Sequence, residues 1–102
     1  MTRPEIVTLC GSLRIFPLIL QVAADETAAG RMVLSPFKTG VTDSEALKRL
    51  DELHRRKIDM ADRVIVVTDR SGRIGESTRG EIEYATRVGK PVVTVMVEQV
   101  QP

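Results

Sequence analysis

Four short apolar stretches separated by three helical patterns predict an α/β domain with a doubly wound parallel sheet of four strands, in the order 2-1-3-4. Three observations carry this expectation. Strand-like and helix-like segments alternate strictly along the chain. The strands are apolar throughout rather than alternately polar, as in a sheet covered on both faces. The helix starts are marked by Pro17 and by Thr-x-x-Glu signals at Thr42 and Thr78.

The first strand is read in Glu5 to Cys10, where Ile6, Val7 and Leu9 lead into Gly11-Ser12. Pro17 suits the first turn of a helix, which runs through Leu18 to Ala29 and stops at Gly30. Arg31 to Ser35 is the second strand, closed by Pro36, and the loop 37–41 follows. Thr42 and Glu45 form a capping-box pattern ahead of Leu47, Leu50, His54, Ile58 and Ala61, which recur at helical spacing, so a helix is expected from about Asp43 to Ala61. Arg63 to Thr68 is the most β-branched run and the third strand. After the polar loop 69–75, Thr78 and Glu81 repeat the capping-box pattern before a helix ending at Gly89, and Pro91 to Val97 is the fourth strand. Glu98 to Pro102 reads as a short tail.

Composition narrows the function. A chain of 102 residues suits one domain, 1–102. Fifteen Lys and Arg against fourteen Asp and Glu give no broad drive toward duplex nucleic acid or a membrane surface. One cysteine excludes an internal disulfide, and neither a membrane-spanning run nor a secretory-type leader is visible, so a cytoplasmic protein is expected. One histidine and one cysteine do not make an ordinary zinc site. No metal and no cofactor are expected, since neither a G-x-G-x-x-G nor a Walker loop is present.

In the order 2-1-3-4 the sheet reverses its direction of growth between strands one and three, and ligands of such folds bind at the crevice this opens. Two loops would line it. In Cys10-Gly11-Ser12-Leu13-Arg14, backbone N–H groups, a hydroxyl and a guanidinium would converge on an anion, or the loop is a tight turn with a solvated arginine. Cys10 reads as a small buried residue rather than a nucleophile. In Gly75-Glu76-Ser77-Thr78-Arg79-Gly80-Glu81, hydroxyls and a helix start suit a phosphate or sugar. Glu81 has two readings, a nucleophile or base reaching across the opening, or a mere partner of Thr78 in the capping box. His54 is either an acid near neutrality or a packed side chain. Phe37, after the second strand, either stacks a base or sits at the rim. Lys48, Arg49, Arg55, Arg56 and Lys57 read for the most part as a solvated helix face, the last three also suiting the helix C-terminus.

Ile6 to Arg14, Asp62 to Val67, Glu81-Ile-Glu-Tyr-Ala85 and Gly89-Lys-Pro-Val92 together resemble the nucleoside 2-deoxyribosyltransferase superfamily, closest to its 2'-deoxynucleoside 5'-phosphate N-hydrolases. The Ile74 to Ala85 segment is similar to one found in short bacterial and phage-type proteins. The resemblance implies a flavodoxin-like sheet in a homodimer. It implies Glu81 as the nucleophile on the anomeric carbon, and Cys10 to Arg14 beside the sugar phosphate. Gly75, Ser77 and Thr78 would hold phosphate or sugar. The family's tyrosine on strand one falls at Thr8 and its aspartate at His54, so protonation of the leaving base would need another donor, a part His54 could serve if it is not simply packed. The chain also stops after strand four, so a partner subunit would supply one wall. The expected function is N-glycosidic hydrolysis or deoxyribosyl transfer on a nucleoside or its 5'-monophosphate. The alternative is a non-catalytic nucleotide-binding or sensing module.

Overall fold

Isoleucine and valine strands that find helices on both faces form the centre of the molecule. The computed structural model describes residues 3–98; the expected tail lies, from residue 99 on, outside the described residues. The strands are β1 (Ile6–Cys10), β2 (Met32–Leu34), β3 (Arg63–Thr68) and β4 (Val92–Met96), all parallel in the order β2-β1-β3-β4. The helices are α1 (Phe16–Ala28), α2 (Ser44–Met60) and α3 (Glu76–Arg87), with a 3-10 turn at Leu13–Ile15 ahead of α1. The topology is therefore the expected one, with strand and helix bounds shifted by a few residues.

Alternation along the strands divides the core in two. Val7, Leu9, Ile65 and Val67 pack against Ile15, Leu18, Ile19 and Val22 on the α1 side. Cys10, Val64 and Val66 pack against Ile58 of α2 and Ala85 of α3 on the other. Thr8 shares that second face, fully buried, and its hydroxyl donates to the Lys57 carbonyl at 2.7 Å. The end of the sheet away from the strand C-termini is tied by Glu5, which accepts from Arg31 and Arg63.

Neither capping box forms. Asp43, not Thr42, caps α2, its carboxylate accepting from the Ala46 N–H at 3.0 Å. In α3 the helix opens three residues earlier than the Thr78 signal implies. Gly75, in extended backbone, is the cap residue and makes no side-chain cap, so Glu76 is helical rather than in the loop. Thr78 is thereby carried into the first turn and is 3 % exposed. Its companion Glu81 is released from any capping duty.

The length of α2 shapes what lies above the sheet. Its 17 residues span about 25 Å, whereas five-residue strands span roughly 17 Å. Ile58 and His54 are buried on the sheet, but Leu47 and Leu53, nearer the helix start, are exposed. The helix outruns the strands, and its first half overhangs their C-terminal ends.

Candidate active site

The overhang of α2, the loop after β2 and the start of α3 enclose an open cleft of about 810 Å³ at the C-terminal ends of β1 and β3. This is the crevice expected at a topological switch point. Gly11, Ser12, His54, Gly75, Ser77, Thr78 and Glu81 gather at it, and Phe37 stands on its rim. Gly11 is required by the closeness of the floor. A Cβ there would lie 3.0 Å from the Val67 carbonyl oxygen and 3.2 Å from the Ile19 side chain.

At the base of the cleft three side chains from three elements meet. Cys10 ends β1, His54 sits within α2 and Glu81 lies in the second turn of α3. Cys10 Sγ and His54 Nε2 are 3.3 Å apart, and His54 Nε2 and Glu81 Oε1 are 3.6 Å apart. His54 is 6 % exposed and its Nδ1 is buried without a hydrogen-bond partner among the described residues. Cys10 is wholly buried and lies behind the cleft wall rather than on it.

Burial sets the proton inventory of this cluster. It pushes the Glu81 carboxyl up to about 7, a rise strengthened by the Asp51 charge and opposed by hydrogen bonds from Cys10 and Ser77. It lowers His54 to about 4, with the Lys57 charge acting in the same direction. The Cys10 thiol is raised by burial and then by the Glu81 charge, so it remains a neutral donor. Across the range between about 4 and about 7 the Glu81–His54 pair therefore holds one proton. That proton count suits a nucleophile and an acid that exchange roles.

Arg14 stands apart from the other expected ligands. It lines a side pocket of about 100 Å³ with Arg73 and Ile74, joined to the main cleft through Ser12 and Gly75. Its guanidinium donates to Asp69 at 3.1 Å, so it reaches this pocket already paired. Ser12 has a structural task as well, its hydroxyl accepting from the Arg14 N–H to open the 3-10 turn.

Three contributors escaped the sequence reading. Lys57 does not join a solvated face: its ammonium donates to the Ser35 carbonyl at 2.7 Å and lies 5.4 Å from the centre of the Phe37 ring. Asp51 lines the cleft, and its charge helps hold the Glu81 carboxyl up. Arg73 brings a second guanidinium to the side pocket. The spacing of Lys57 one turn beyond His54 is the signal that it shares the cleft face.

No protein-family model and no curated protein matches the sequence. Solved structures do match. The 2-deoxyribosyltransferase of Bacillus psychrosaccharolyticus superposes with a TM-score of 0.74 at 14% identity, over 96% of this chain and 77% of that one. The chain has the fold of the 2-deoxyribosyltransferases. The 2-desoxiribosyltransferase of Leishmania mexicana agrees with a TM-score of 0.65 at 19% identity, covering 97% of this chain and 68% of that one. The CMP N-glycosidase BcmB of Clostridium botulinum gives 0.64 at 18% identity, covering 90% and 71%. The deoxyribosyltransferase-like architecture expected from the sequence is thus shown at the level of the fold.

Proposed function

We propose that the cleft breaks the N-glycosidic bond of a deoxynucleoside or its 5'-monophosphate, passing the sugar to water or to a second base, with Glu81 as nucleophile. The observation that carries this reading is the Glu81 carboxyl itself. It is held at the base of the cleft, freed from capping, 3.6 Å from the imidazole that would exchange a proton with it. Hydroxyls and backbone N–H groups of 75–78 and Gly11-Ser12 surround the same end, suited to sugar and phosphate oxygens.

In the resting protein the shared proton is on Glu81. Its transfer to His54 leaves a carboxylate and an imidazolium. The carboxylate oxygen bonds to C1' as the C1'–N bond breaks, and the pair of electrons from that bond goes to the base nitrogen, which takes the proton from His54. Water or an incoming base then displaces the carboxylate from C1' and gives up a proton, restoring the pair. Dividing the displacement in two is the logic of retaining glycosidases. Phe37, with Leu50 and Leu53, offers the apolar wall against which a base would stack.

A homodimer fits the exposed edge of the sheet. Among the described residues β4 pairs on one side only and presents Val93, Val95 and Met96 to solvent, 37–56% exposed. Light scattering across micromolar concentrations should give twice the chain mass; a monomer would exclude the arrangement.

The test of function is incubation with a panel of nucleosides and 5'-monophosphates, followed by chromatography of free base. Base release from at least one, lost in Glu81→Gln, supports the reading. Ligand-dependent stabilisation with no release from any substrate would replace it with a binding module.

A further inference from the structure

We propose that Cys10, His54 and Glu81 form a binding site for a thiophilic divalent cation, Zn²⁺ above all. A thiolate, an imidazole and a carboxylate are each ordinary zinc ligands, and three protein ligands with one open position is the usual arrangement of an accessible zinc site. Here the three come from different elements, and their donor atoms all lie within 4.8 Å of one another.

The spacing of two of the three pairs is close to what an ion would impose, and the third lies within 4.8 Å. Zn–S of about 2.3 Å and Zn–N and Zn–O of about 2.0 Å at tetrahedral angles separate neighbouring ligand atoms by roughly 3.3–3.6 Å. The observed Sγ to Nε2 and Nε2 to Oε1 separations are 3.3 and 3.6 Å. Small side-chain adjustments around a central ion would therefore suffice. His54 and Glu81 line the cleft, so the ion enters from there and water takes the fourth position. Thiolate and carboxylate together balance the two positive charges, which makes a neutral complex in a buried place. Binding releases the thiol and carboxyl protons to solvent.

The imidazole also presents the right nitrogen: Nε2 is the atom beside both the thiol and the carboxylate, and in the ligating tautomer the ring proton resides on Nδ1. Among the described residues Nδ1 has no acceptor, and sites lacking that support lose roughly 10–100-fold in affinity. The site is accordingly one that exchanges its ion, not one that traps it permanently. The sequence offers only one histidine and one cysteine; the fold adds the carboxylate. The same ion would occupy the proposed nucleophile and silence it. That consequence rests on the N-glycosidase reading, whereas the binding itself does not.

The experiment is titration of the chelator-stripped full chain with Zn²⁺ against a chromogenic chelator, followed by loading with Co²⁺. One equivalent of Zn²⁺ is expected, with affinity reduced about 100-fold in Cys10→Ser and in His54→Gln, and less in Glu81→Gln. Cobalt should give the wild-type protein a thiolate-to-metal charge-transfer band, which Cys10→Ser lacks. No stoichiometric zinc binding, unaltered binding in a folded Cys10→Ser protein, or a cobalt-loaded wild type without that band would each overturn the proposal. Zinc binding without base release from any nucleoside would remove the enzymatic reading and leave the site standing; base release without zinc binding would do the reverse.

Discussion

Glu81→Gln removes a carboxyl whose ionisation the fold resists, and the consequence for stability can be worked from its surroundings. The group ordinarily titrates at 4.5 and is raised to about 7, chiefly by burial. Because the folded state holds the proton more tightly than the unfolded chain, the stability it contributes is complete below 4.5 and is lost as pH rises toward 7. Each pH unit between the two values corresponds to about 1.4 kcal/mol, so at pH 8 the ionised carboxylate costs the fold about 3 kcal/mol. His54 acts oppositely. Its folded value of about 4 lies below the ordinary 6.5, so its contribution is present above 6.5 and is lost as pH falls toward 4. The two slopes offset one another between 4.5 and 6.5, leaving wild-type stability nearly flat there. Glutamine is close in shape, is never ionised, and unmasks the His54 slope. The variant should therefore match the wild type near pH 4.5 and exceed it at pH 8 by about 3 kcal/mol, roughly 10–20 °C in melting temperature for a chain of this size. Thermal and urea melts at both pH values, with chelator present, measure this. An equal difference at both pH values, or a less stable variant at pH 8, would refute the buried-carboxyl argument.

Base release by the metal-free protein should follow a bell with limbs near 4 and near 7, since only the singly protonated Glu81–His54 pair can supply both nucleophile and acid; in His54→Ala the fall above 7 should disappear. Arg14→Ala should weaken a 5'-monophosphate by about 1.5–3 kcal/mol while leaving the nucleoside nearly unchanged, read by calorimetry. Asp69→Asn should strengthen the monophosphate instead, because it frees Arg14 from its ion pair, and equal effects on both ligands would place the phosphate elsewhere. Gly11→Ala should cost about 1–3 kcal/mol in urea unfolding, because the added methyl meets the Val67 carbonyl and backbone cannot yield cheaply; a neutral result would show that the floor is looser than its geometry.

The layered fold was legible because apolar runs and turn residues act locally: the third strand starts and stops where the β-branched stretch Arg63 to Thr68 does. The sheet order followed from right-handed crossovers. The helix caps differ from the Thr-x-x-Glu signals for a physical reason, since that spacing can fall one residue ahead of the cap, as at Thr42, or inside the first turn, as at Thr78. In α3 the extended Gly75 takes the cap position and Thr78 turns inward. The apolar spacing of Leu47, Leu50, His54 and Ile58 identified one face of α2 but not what that face meets. Half of it covers the sheet and half overhangs a cleft, a difference set by helix length relative to strand length. Cys10 and His54 belong to separate layers of the sequence pattern, and only packing brings the thiol and imidazole to 3.3 Å. The diversion of Arg14 toward Asp69 depends on a loop conformation that no local periodicity encodes.

The most direct measurement of the central claim is the mass of the protein itself during turnover. Acid quenching of the wild type with a 2'-deoxynucleoside or 5'-monophosphate that releases base should trap a covalent adduct of one deoxyribosyl unit, carrying its phosphate where the substrate has one. Peptide mapping should place it on Glu81, and Glu81→Gln should show neither adduct nor base release. An adduct on another residue, or undiminished base release by Glu81→Gln, would contradict the account.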